Sequence, residues 1–158
     1  MANAQQVLTL EVKDKKIQDL FVDLHSRFDR VGKVPSCPHV TIRGPYKTPV
    51  SSYRSRRILQ RLANQPNLRL SGVGRFELPD CHVVYLSVQG EVLRKVWWKP
   101  DFPIYQFGFN PHITVFKGDK EAADRVFEAL NSYTVDHSIE SFELKVDVIG
   151  QAALNFSS

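Results

Sequence analysis

The sequence predicts an α+β fold: two pseudo-symmetric lobes of antiparallel or mixed sheet, helices on the outside, flanking a central groove. Three observations predict it. One pattern is written twice, as Pro38-His39-Val40-Thr41-Ile42-Arg43 and as Pro111-His112-Ile113-Thr114-Val115-Phe116. The segments around each copy follow the same order of strand, helix, motif strand, helix, strand. The strands read with one polar and one apolar face, which suits sheets covered by helices on one side.

Taken in order, residues 6–13 alternate as a strand, with Leu8, Leu10 and Val12 on one face. Asp14 can cap the following helix, where Ile17, Leu20, Phe21, Leu24 and Phe28 fall at helical spacing. Gly32 stops that helix, and Pro35 and Pro38 lead into the first motif strand, which ends at Gly44-Pro45. Ser51-Ser52 opens a second helix to about Gln65, with Tyr53, Ile58, Leu59 and Leu62 as its apolar side. Its arginines, Arg54, Arg56, Arg57 and Arg61, form either a solvated face or one that contacts RNA phosphates.

Residues 67–78 and 82–89 read as strands joined at Pro79-Asp80. A short amphipathic segment from Glu91 to Trp98 precedes an aromatic-rich stretch, 97–109, whose prolines rule out a continuous helix. That stretch packs locally or forms a wall over a bound base. After the second motif, Gly118-Asp119 caps a third main helix to about Tyr133, with Ala122, Val126, Phe127 and Leu130 inward. A last strand spans about Ile139 to Ile149.

Length and composition bound the rest. A chain of 158 residues fits one domain, 1–158, in which each lobe supplies one motif strand. At 42 % hydrophobic and 24 % charged residues it has material for a core and none for a membrane span. The N-terminus lacks signal-peptide character. Cys37 and Cys81 are too few for a disulfide framework and lack metal-type spacing, so the expected compartment is the cytoplasm. A net charge of +4 suits a nucleotide or RNA-like partner without requiring one. The chain is expected to act as a monomer, with no membrane, metal or cofactor.

Strand alternation places His39, Thr41 and Arg43 on one face and His112, Thr114 and Phe116 on another. Two imidazoles facing one cleft supply an acid and a base, since imidazole titrates near neutrality. Hydroxyls beside them can donate to the non-bridging oxygens of a phosphodiester, where charge accumulates. By the same alternation Arg43 is a candidate cation opposite the phosphate, or a surface arginine at the strand's end. Tyr85 and Phe116 are candidate stacking platforms for a base, or core residues. Lys117 should point away from His112. His25, His82 and His137 have no partner threonine and read as structural or surface residues.

Paired His-x-Thr motifs in two similar halves resemble the two-histidine (2H) phosphoesterase superfamily, in particular small bacterial proteins described as 2′-5′ RNA ligase-like or cyclic phosphodiesterases. The match in order and size spans nearly the whole chain, and its specific identity rests on the two motifs. The first continues as Arg43-Gly44-Pro45-Tyr46 and the second as Lys117-Gly118, both similar to the family's forms. The resemblance implies two α+β lobes around a groove and metal-free hydrolysis of 2′,3′-cyclic or 2′-5′ phosphodiesters, with reverse 2′-5′ ligation as a companion activity. It makes His39 and His112 the catalytic pair and Thr41 and Thr114 the phosphate holders. It leaves open a substrate among cyclic oligonucleotide signals. A non-catalytic RNA-binding module using the same groove is the alternative outside catalysis.

Overall fold

The described residues of a computed structural model, 5–46, 49–64, 67–97, 110–133 and 136–149, form eight strands and four α-helices. In chain order these are β1 (Gln5–Val12), α1 (Lys15–Phe28), β2 (Gly32–Lys33), β3 (His39–Tyr46), α2 (Ser52–Asn64), β4 (Leu68–Glu77), β5 (His82–Gln89), α3 (Glu91–Val96), β6 (His112–Gly118), α4 (Lys120–Leu130), β7 (Asp136–Ile139) and β8 (Phe142–Ile149). The strands make one sheet in the order β7-β4-β5-β6-β3-β1-β8, with β2 beside β6. Every pairing is antiparallel, so the sheet is not mixed. The aromatic stretch from residue 98 to 109 lies outside the described residues.

The helices form for the reasons their sequences give. On α1 the stripe Ile17, Leu20, Phe21, Leu24 and Phe28 is buried throughout. Such side chains each stabilise by roughly 1.5–3 kcal/mol on leaving water. Asp119 caps α4, its carboxylate accepting from the Ala122 amide at 2.8 Å. Ser51 caps α2, accepting from the Arg54 amide at 3.1 Å. Asp14 precedes α1 as expected, but its carboxylate is used elsewhere. It accepts from the amides of Glu140 and Ser141, both at 3.0 Å, and from His137 Nε2 at 3.1 Å. Burial alone would raise its pKa; those donors outweigh burial and hold it below the ordinary value.

Two strands differ from the sequence reading. Gly32 begins β2, a two-residue strand in register with Gly118 and Lys117. The strand expected from about Ile139 to Ile149 is β8, and β7, which ends at Ile139, is a further strand that the sequence reading lacked. β7 pairs with β4 at one end of the sheet, and β8 pairs with β1 at the other. Only Glu140 and Ser141 separate them in sequence, and two residues span about 7 Å of chain. The sheet must therefore bend until its ends approach. Four helices, each about 10 Å across, cannot fit inside such a bend, so it closes toward the face without helices.

The core confirms the layering. Leu8, Leu10, Val40, Ile42, Leu86 and Ile113 pack with buried residues from all four helices in one cluster. The opposite face, inside the bend, carries the motifs.

Candidate active site

Strands β3 and β6 meet at the centre of the sheet through the pair Val40↔Ile113. Both residues follow a motif histidine, and both point into the helical core. In an antiparallel register the residue before one partner lies opposite the residue after the other. His39 thus occupies the position beside Thr114, and Thr41 the position beside His112, all on the face away from the core. The structure brings the two predicted motifs together.

Burial marks the same place. Among the described residues, the buried polar side chains are Thr9, Thr41, His112 and Thr114. Thr41, His112 and Thr114 are motif residues, and Thr9 sits in register with Thr41. Burying hydroxyls and an imidazole is costly unless they are used, so their concentration on one face points to a site. Thr9 donates to Asp147 at 2.9 Å. The Thr114 hydroxyl has no partner among the described residues.

Each histidine is held by the same local device. His39 Nδ1 lies 3.1 Å from the Cys37 carbonyl oxygen, and His112 Nδ1 lies 2.7 Å from that of Asn110. A carbonyl can only accept, so Nδ1 carries the hydrogen in both rings. Nε2 is left as the nitrogen that exchanges protons. The proline of each motif lies between the histidine and its carbonyl partner (Pro38, Pro111), and its fixed φ helps set that two-residue geometry.

Cross-strand pairing surrounds the two histidines differently. His39 is in register with Glu11, whose carboxylate is ion-paired with Lys13 at 2.7 Å and with Lys145. Those bonds hold Glu11 below its ordinary pKa. His112 is in register with Ser87, and its ring packs on Phe76 (5.0 Å, near-perpendicular) and Tyr85 (5.2 Å). Tyr85 therefore stands where the sequence put it, beside the second motif. Tyr85 also lies over Gly74, where a Cβ would come within 2.4 Å of its ring. Phe76, Thr9 and Glu11 were not found from sequence, because only the pairing of β4 and β1 with the motif strands reveals them.

Two candidates are corrected, and for one reason. The register slips by a residue between Leu8↔Arg43 and Thr9↔Thr41. It slips again between Val84↔Phe116 and Tyr85↔Thr114. Each motif strand thus carries an extra residue just after its threonine, a bulge at the same place in both halves, and a bulge reverses the alternation beyond it. Arg43 is turned to the helical side, where its Nε donates to the Val96 carbonyl at 2.8 Å. Phe116 is turned into the core, fully buried and edge-on to Phe28 at 6.3 Å. Neither lies beside the histidines. The same slip corrects Lys117, which comes round to the histidine face opposite Val83 and Lys33. Burial there lowers its pKa to about 8.

His25, His82 and His137 bond to Asp29, Arg75 and Asp14, away from the motifs. Among the described residues no three His, Cys, Asp or Glu side chains converge as a metal site would need. No helix among them is long and apolar enough to cross a membrane.

A sheet in which two antiparallel strands each present a carbonyl-anchored histidine and a buried threonine is the arrangement expected of the two-histidine phosphoesterase superfamily. The chain belongs to the 2′-5′ RNA ligase superfamily, whose family model matches residues 11–148, a span that takes in both motifs. Comparisons with curated proteins and with solved structures gave no match.

Proposed function

We propose that the protein is a phosphodiesterase acting on RNA-like 2′,3′-cyclic or 2′-5′-linked diesters, with 2′-5′ ligation as the reverse reaction. The observation that carries this reading is the matched pair of histidines with the same tautomer, set on adjoining strands among the buried threonines. In hydrolysis one Nε2 takes a proton from the attacking water. The other Nε2 gives a proton to the departing ribose oxygen as its bond to phosphorus breaks. An in-line displacement needs the two on opposite sides of phosphorus, which two adjoining strands can supply. Thr114, a buried donor without a partner among the described residues, can bind a non-bridging oxygen, and Thr41 occupies the equivalent place. Tyr85, backed by the buried Phe76, offers aromatic surface for a base beside His112.

The test is turnover of a substrate panel: 2′,3′-cyclic mononucleotides, 2′-5′ and 3′-5′ dinucleotides, and cyclic dinucleotides. Wild type should open the 2′,3′-cyclic or 2′-5′ diesters and remain active in EDTA. His39→Ala and His112→Ala should each lower kcat by about 10²–10⁴ or more, the usual size of a lost general acid or base. Full activity in either variant would remove the paired mechanism.

A further inference from the structure

The arginines of α2 are unlike the charges on the other long helices. On α1 and α4 most of the cations pair one turn away with carboxylates: Lys15 with Asp19, Arg27 with Asp23, Lys120 with Asp124, Arg125 with Glu121. Helix α2 has four arginines and no acidic residue. Three of them, Arg54, Arg57 and Arg61, line a hollow of about 290 Å³ together with Arg43, Ser51, Tyr53 and Ile58. Among the described residues no carboxylate lines it.

The guanidinium groups there are positioned by neutral partners. Arg43, delivered by the bulge in β3, gives its Nε to the Val96 carbonyl. Arg54 lies over the Tyr46 ring at 5.2 Å, and Arg57 donates to the Tyr53 hydroxyl at 3.1 Å. Such partners fix the side chains without neutralising them, so the charge remains for an anion. Tyr53, 64 % exposed, adds a flat ring at the mouth.

We infer that this hollow is a second nucleic-acid contact, taking backbone phosphates of a single-stranded RNA while Tyr53 stacks on a base. Clustered cations with an exposed aromatic suit a strand of phosphates and bases better than an isolated phosphate or an acidic peptide. The site lies on the opposite side of the sheet from the histidines. Yet Arg43 is only four residues beyond His39 on β3, about 13 Å along the strand. A strand passing the end of β3 would reach it. The inference does not depend on turnover and draws on the proposed function only in choosing RNA.

The experiment is fluorescence anisotropy with a labelled single-stranded RNA of about twelve nucleotides, at salt from about 50 to 200 mM. Three proteins are compared: wild type, the triple variant R54Q/R57Q/R61Q, and Arg56→Gln, which alters the same helix outside the hollow. The triple variant should bind at least about tenfold more weakly and lose about two units of salt-dependence slope, near 0.7 per phosphate released. Arg56→Gln should stay within about twofold of wild type. Circular dichroism checks that α2 remains folded. Equal losses in the triple variant and Arg56→Gln would reduce the effect to diffuse charge and overturn the proposal. So would unchanged binding in the triple variant, or equal competition by a poly-glutamate peptide of matched charge. Turnover of a 2′,3′-cyclic mononucleotide, measured alongside, tests the catalytic reading separately, since that substrate is too short to span both sites.

Discussion

The two halves of the sheet repeat one another around the histidines and diverge immediately beyond them. β1 pairs with β3 as β5 pairs with β6, down to the position of the bulge. Within that repeat the histidines, threonines and carbonyl anchors are equivalent. The residues opposite them are not: Glu11 and Thr9 stand across from His39 and Thr41, while Ser87 and Tyr85 stand across from His112 and Thr114. Past the bulge, Arg43 occupies in one half the place that Phe116 occupies in the other. The helices that follow diverge as well, α2 carrying four arginines and no carboxylate of its own and α4 internal ion pairs. On the proposed function, symmetry is kept where a diester would need an acid and a base on either side of phosphorus. It is abandoned where a nucleotide would offer a different chemical group at each end.

If that division is right, changes inside the repeat should affect chemistry and changes beyond it should affect stability or recognition. The largest effect after the histidines is expected at Thr114. Thr114→Val should lower kcat by about 10²–10³, the usual result of losing one preorganised donor. The same variant should be more stable than wild type by about 1 kcal/mol, because it removes a buried hydroxyl that lacks a partner among the described residues. Kinetics and urea unfolding on one preparation check both. A Thr114→Val protein that keeps full activity would deprive the threonines of their role.

The equivalent pair beyond the bulges sharpens the contrast. Phe116→Ala should cost about 3–5 kcal/mol of stability, since its ring fills the core against Phe28. Arg43→Ala should cost about 1 kcal/mol, the value of one side-chain hydrogen bond to a carbonyl. Chemical denaturation of the two variants decides it. Similar losses would mean that Arg43 is as much a core element as its counterpart.

Sequence made most of the element order, the α1 stripe and the meeting of the two motifs legible, because each rests on local periodicity or on a repeated motif. The stripe read on α2 holds at Ile58 and Leu62 and fails at Tyr53 and Leu59, which are exposed. Arg43, Phe116 and Lys117 were misplaced because strict alternation was carried through a bulge. Nothing in Thr-Ile-Arg or Thr-Val-Phe marks the extra residue; it appears only when the neighbouring strand supplies one residue against two. Phe76, Thr9 and Glu11 were missed for a related reason, since cross-strand neighbours belong to pairing rather than to sequence. The last strand reads from about Ile139 to Ile149, which finds β8 and misses β7 (Asp136–Ile139). Nothing local marks Asp136-His137-Ser138 as a strand, and only its pairing with β4 does.

Lys117 provides the smallest and most pointed test, because the corrected alternation puts it beyond Thr114 on the histidine face. Its counterpart in the other half is Gly44, so any contribution is one-sided. Burial lowers its pKa from the ordinary lysine value to about 8, and the neighbouring Lys33 adds to the shift. Below about pH 8 the ammonium is charged and attracts a substrate phosphate; above it the charge is lost. Affinity for a nucleotide 2′-monophosphate, measured calorimetrically, should therefore fall several-fold between pH 7 and 9, and Lys117→Met should flatten that fall. Stability should move the other way. The unfolded chain keeps this proton up to the ordinary lysine pKa while the folded chain releases it near 8. Between those values the unfolded state binds more protons, and raising the pH favours the folded state. Opposite slopes for binding and folding, both absent in Lys117→Met, are the expected signature. An alkaline loss of affinity that persists in Lys117→Met would assign it to another group.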